Sequence, residues 1–141
     1  MTSYLNYKHL FLDTCVLIYF LEGHELFGRQ VKKIMEKVEN GAIKASISAL
    51  TITELLTGPY RCKNDLLALE YHALLYYFPN LGIVDINLDI AVDAARIRVT
   101  YDFATPDSLL LATALHVKAD AFITSDKKLS RFKELEVLLI K

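Results

Sequence analysis

Four acidic residues, Asp13, Glu54, Asp107 and Asp126, stand close to points where apolar runs end or helical patterns begin. Taken singly, each has an ordinary explanation. Thr51-Ile52-Thr53-Glu54 matches a capping box, Asp107 suits the start of a helix dipole, and Asp13 and Asp126 could be N-caps. Taken together they point to chemistry, because two carboxylates about 4 Å apart repel by roughly 4 kcal/mol at an effective dielectric of about 20. Such a set must spread apart, take up protons or be neutralised by cations. Hard oxygen ligands suit Mg²⁺ or Mn²⁺ better than zinc. Water activated by such an ion is a nucleophile for a phosphodiester, so the expected reaction is hydrolysis.

The elements that must position these acids follow from the apolar pattern. Short β-leaning runs occupy 9–12, 42–47, 83–86, 121–124 and 137–140. Helical periodicity covers 14–21, 25–40, 51–56, 60–78, 88–101 and 106–117, with Pro59, Pro79 and Pro106 expected where helices start or stop. This alternation implies an α/β protein of three layers, α/β/α, whose central parallel sheet of about five strands is covered on both faces. Such sheets bind ligands beyond the carboxyl ends of their strands, where the chain order reverses. Asp13 and Asp126 follow strands directly or after one residue, and Glu54 is expected about one helical turn beyond the same edge. Asp107 opens a helix that must run antiparallel to the next strand, so its start returns to that edge.

Composition narrows the classes. With 141 residues, 53% of them apolar and 23% charged, the chain is expected to be one globular domain spanning 1–141. No run approaches the roughly 20 apolar residues of a membrane span and no leader is evident, so the expectation is a cytoplasmic protein without a membrane. Cys15 and Cys62 are too few for a disulfide framework and are read as reduced thiols. A net charge of −1 requires any nucleic-acid contact to come from a local basic patch.

Four segments in order, Phe11 to Tyr19, Ser48 to Leu55, Thr105 to Ala114 and Ala119 to Asp126, resemble the PIN-domain ribonucleases, most closely the VapC-type toxins of toxin-antitoxin pairs. The resemblance spans nearly the whole chain. It implies the PIN-like fold and Mg²⁺- or Mn²⁺-dependent endonucleolytic cleavage of RNA. Carried over, Asp13, Glu54, Asp107 and Asp126 hold metal or the attacking water, and the Thr124 hydroxyl orients a carboxylate. The resemblance also implies a cognate antitoxin protein and a homodimer, with the aromatic-rich stretch 66–78 as a compatible surface. Cys15 departs from the small polar residue often found two places after the first acid.

Candidate phosphate contacts are Lys127, Lys128 and Arg131 beside the last acid, Arg61 and Lys63 after the Glu54 helix, and Arg96 and Arg98 before Asp107. Taken one at a time, each is better read as part of a solvated face than as a contact. A phosphotransfer receiver would want paired acids after the first strand, and an aspartyl phosphatase a second acid at position 15, where Cys15 stands. The remaining alternatives are a PIN-domain RNA-processing nuclease that is not a toxin, and a non-catalytic RNA- or protein-binding module on the same fold.

Overall fold

The computed structural model describes residues 6–140. Five strands, β1 (His9–Leu12), β2 (Lys44–Ser48), β3 (Leu81–Val84), β4 (Ala121–Thr124) and β5 (Glu136–Leu139), form one sheet in the order β3-β2-β1-β4-β5. Every pairing is parallel, with Leu10 opposite both Ala45 and Ala121. The chain builds outward from β1 through β2 to β3, then returns to the other side of β1. The order therefore reverses between β1 and β4, which opens a crevice at their carboxyl ends.

Period-2 alternation gives each face its own core. Leu10 and Leu12 turn to one face with Ile47 and Ile123, where they meet Val16 and Leu17 of α1 (Thr14–Glu22) and Val31, Ile34 and Met35 of α2 (Gly28–Glu39). Leu55 of α3 (Ala49–Arg61) and Leu75 of α4 (Asp65–Tyr76) complete that layer. Phe11 and Phe122 point the other way and stack at 5.7 Å. They pack under Ile90, Ala94 and Ile97 of α5 (Leu88–Tyr101) and Leu110 and Leu111 of α6 (Thr105–His116). The three-layer α/β/α architecture with a five-stranded parallel sheet is the one the alternation predicts.

Strands 9–12 and 121–124 and helix 88–101 fall where the pattern puts them. The other edges shift for identifiable reasons. β2 starts at Lys44 rather than 42 because Gly41 turns at φ +86 and the Asn40 side chain holds the Ala42 N–H at 2.9 Å. β3 ends at Val84 rather than 86 because its partner stops at Ser48, leaving Asp85 and Ile86 nothing to pair with. The helix expected from 25 begins at Gly28, since His24 Nδ1 takes up the Leu26 and Phe27 N–H groups in a turn.

Two expectations about α3 are corrected. Ser48, whose hydroxyl accepts from the Leu50 N–H, is the N-cap, so the capping box 51–54 does not form and Glu54 lies in the second helical turn. Pro59 does not end the helix. It forfeits one backbone hydrogen bond, yet the helix runs on to Arg61 with Leu55 and Pro59 both buried. The break comes at Lys63, with φ +56, after which Asn64 caps α4 through the Leu67 N–H.

Candidate active site

At the end of β1 the chain turns from strand to helix at Asp13, which is 8% exposed and caps α1 by accepting from the Thr14 N–H at 2.8 Å. Its backbone N–H still bonds to Ile123 O, so it sits directly across from the end of β4. There the buried Thr124 hydroxyl donates to Asp13 Oδ2 at 2.6 Å and accepts from the Asp126 N–H at 3.0 Å. One hydroxyl thus ties the first acid to the loop that carries the last. Asp126 in turn caps a short 3₁₀ turn, Lys127–Arg131, through the Lys128 N–H. The capping roles are real, and each leaves carboxylate lone pairs for another partner.

Asp107 lies in the first turn of α6, and Glu54 on α3. Burial raises the Asp13 carboxyl to about 6, opposed by the Thr124 and Thr14 hydrogen bonds and reinforced by the charge of Asp107. Asp107 is also raised, first by burial and then by the charges of Asp126 and Glu54, with Lys128 acting in the opposite direction. Asp107 thus acts on Asp13, and Asp126 and Glu54 act on Asp107, which puts the four acids in one neighbourhood at the carboxyl edge.

Glu54 is held by hydroxyls that the residue pattern did not announce. Thr14 Oγ1 donates to Glu54 Oε1 at 2.6 Å and lies 2.8 Å from Thr51 Oγ1. Because Thr14 has one hydroxyl proton and gives it to the carboxylate, Thr51 must donate to Thr14. Both threonines are buried, and the only sequence signal is their position, one after Asp13 and three before Glu54. Cys15 fills the space behind the first acid, with its thiol 3.7 Å from Asp13 Oδ2 and 3.4 Å from Ser125 Oγ. Burial pushes that thiol up, away from the reactive thiolate.

Among the described residues, no three His, Cys, Asp or Glu side chains form a ready-made cage for an ion. The donor chemistry nevertheless fits a hydrated hard cation. All four groups are carboxylates, the charges of neighbouring acids raise Asp13 and Asp107, and Mg²⁺ characteristically keeps several waters and takes only one or two protein carboxylates.

The basic candidates divide. Lys128 is near enough to Asp107 to act on its charge, and Lys127 is exposed beside it. Arg131 lies over the Phe103 ring at 4.9 Å. Arg61 and Lys63 are exposed, but α3 carries Arg61 about 20 Å from Ser48 at the rim. Arg98 is exposed on α5. Arg96 is corrected: it binds both oxygens of Glu134 and also Asp93, which lies 3.9 Å from His116 at the end of α6 opposite Asp107. Its charge is already matched, away from the acids.

Comparison with known proteins agrees with this architecture. The chain is 27% identical to Ribonuclease VapC2 of Methanocaldococcus jannaschii, over 93% of each chain. It superposes on a toxin-antitoxin complex from Klebsiella pneumoniae with a TM-score of 0.73 and 23% identity, covering 94% of this chain and 98% of that one. VapBC2 from Rickettsia felis, bound to a DNA fragment from its promoter, gives a TM-score of 0.72 at 15% identity, over 94% and 99%. These two likenesses show a shared fold. Residues 10–135 match the PIN domain, and with the strand order and the acids at its switch point already in place, the chain belongs to the PIN-domain family.

Proposed function

We propose that the chain is a Mg²⁺- or Mn²⁺-dependent endoribonuclease, built as one domain over 1–141, cytoplasmic, and acting as the toxin of a toxin-antitoxin pair. The observation that carries the reading is the Thr124 hydroxyl bridging Asp13 to the Asp126 loop at the reversal of strand order. The charges of Asp126 and Glu54 acting on Asp107 support it. The relative named as a ribonuclease supports RNA as substrate, and the toxin-antitoxin complexes support a protein partner. Among the described residues no helix is long and apolar enough to cross a membrane.

Asp13, Asp107 and Asp126 would hold the ion, directly or through water, with Glu54 holding it or the attacking water. When bound, the ion supplies Lewis acidity that makes water nucleophilic at neutral pH. The chain's own residues do the aiming. Thr124 fixes Asp13 Oδ2 and the Thr14 N–H fixes Oδ1, so the carboxylate cannot rotate freely. Thr14 and Thr51 aim Glu54 from below. Lys127 and Lys128 offer a positive rim to the RNA backbone, positioning it without reading its sequence.

An exposed stripe on α4, formed by Leu66, Leu69, Ala73 and Tyr76, recurs at helical spacing and supports docking of a partner helix there, in a homodimer. The test of activity is direct. Purified wild-type chain incubated with total cellular RNA should cleave in Mg²⁺, stop on EDTA and resume with Mn²⁺, whereas Asp13→Asn should lose at least about a hundredfold in rate while its circular dichroism is unchanged. Equal cleavage by Asp13→Asn would refute the assignment.

A further inference from the structure

The geometry points to a nucleotide subsite in the cleft between α1 and α2, where one unpaired base of the RNA packs on an aromatic wall and its phosphate meets Arg29 and Lys32. This rests on the ribonuclease reading and adds to it a place where substrate outside the scissile bond is gripped. The cleft has a volume of about 500 Å³ and is lined by Tyr19, Phe20, Gly23, His24, Arg29 and Lys32. That size lies within the usual range of small-ligand pockets.

Its walls are built rather than incidental. Gly23 ends α1 in the left-handed region at φ +66, where a side chain would be strained, and its N–H bonds back to Tyr19 O. Gly28 starts α2 beside it, where a Cβ would make an ordinary van der Waals contact with the Gly23 carbonyl carbon at 3.4 Å. His24 is fixed by accepting the Leu26 and Phe27 N–H groups on Nδ1, 3.1 Å each, so the neutral ring carries its proton on Nε2 and remains a donor. The ring stacks on Phe27 at 15° and lies 4.5 Å from Tyr19, forming a rigid aromatic cluster.

Charge and position favour a nucleotide over a protein segment. Arg29 and Lys32 are exposed one turn apart on α2, and among the described residues neither is in an ion pair. Glu22 at the end of α1 and Glu25 in the following turn are the acidic residues beside it in sequence, and neither lines the cleft. Tyr19, one wall, bonds through its hydroxyl to Ser125 Oγ at 2.9 Å, and Ser125 stands between Thr124 and Asp126. Tyr19 therefore ties one wall of the cleft to the loop that carries Asp126. Flat π-faces beside unpaired cations are how single-stranded nucleic acid is held without sequence reading.

The test uses the Asp13→Asn chain in EDTA, so that binding is scored independently of hydrolysis. Fluorescence anisotropy with a labelled 12-nucleotide single-stranded RNA should show about a tenfold weaker Kd for Arg29→Ala/Lys32→Ala, and a salt dependence shallower by roughly 1.4 in log–log slope. Lys8→Ala/Lys44→Ala, the same charge change at the amino edge, should cost less than about twofold. In the active chain the Arg29/Lys32 variant should raise KM with kcat unchanged. An unchanged Kd, or an equal loss in the amino-edge control, overturns the subsite. So does a 12-residue polyglutamate peptide that loses affinity with Arg29 and Lys32 while RNA does not, since the cleft would then serve a protein. Intact RNA binding without metal-dependent cleavage would fail the ribonuclease reading alone.

Discussion

Thr14 is a buried hydroxyl whose value lies in the direction of its hydrogen bonds. It spends its proton on Glu54 and accepts from Thr51, so the three side chains form an ordered chain that ends on a carboxylate at the rim. Thr14→Val keeps the shape and removes the donor, leaving Glu54 to drift and Thr51 to seek a new acceptor. The expected result is a loss of about 10- to 100-fold in kcat with little change in KM, and a higher Mg²⁺ requirement. Thr14→Ser should restore most of the rate, which a purely packing role for the methyl group would not. Steady-state kinetics at graded Mg²⁺ on the three proteins decides it. Sequence spacing singled out Asp13, Asp107 and Asp126 because carboxylates at element ends are conspicuous, and Glu54 because it follows a strand closely. Thr14, Thr51 and the Tyr19–Ser125 bond were silent, since a threonine beside an acid is common and its partner lies about forty residues away or more, across the fold.

At the scale of elements, the two central strands are pinned at their starts by Asp120. Its Oδ2 accepts from the Lys8 and His9 N–H groups at 2.8 Å each, while its own N–H donates to His9 O at 2.8 Å. These bonds hold the carboxyl below its ordinary value, the His9 contact contributing most. A depressed carboxyl stabilises the fold above the unfolded-state value and loses that contribution as pH falls through its folded-state value. Asp120→Ala should therefore cost about 1 kcal/mol at pH 7, a modest figure because the group is exposed, and clearly less at pH 3. Urea denaturation at both pH values measures this, and an equal loss at pH 3 would assign the effect to something other than charge. Strands and α-helices were legible by type because their periods differ, whereas the 3₁₀ turn 127–131 carries no such period. Boundaries were legible where a strand is central, as for β1 and β4, and displaced where the neighbour sets the limit, as for β3 against β2. The start of α3 lies two residues before the expected 51 because Ser48, a better N-cap than Thr51, takes the Leu50 N–H.

For the molecule as a whole, the apolar surplus divides between two cores and a remainder on the surface. Leu66 is 67% exposed, Leu69 62% and Tyr76 64%, on a helix whose other side buries Ala68 and Leu75. Leaving that much apolar surface in water is costly for a lone chain, at roughly 25 cal/mol per Å². Leu69→Glu/Tyr76→Glu should convert a dimer to a monomer in sedimentation velocity without lowering the melting temperature by more than a few degrees, because neither side chain is in a core. A variant that sediments as the wild type does would remove α4 from the contact.

The parallel course of β5 carries a further consequence. Its last residues climb toward the acids, and the Ile140 N–H bonds to the carbonyl of Thr124, the residue that holds Asp13. The described part of β5 thus finishes on the carboxyl edge, one strand away from β4 and its Thr124. A label carried on β5 at Leu139 would therefore lie on the edge that holds the acids, whereas one carried on β1 at His9 would lie on the opposite edge of the sheet.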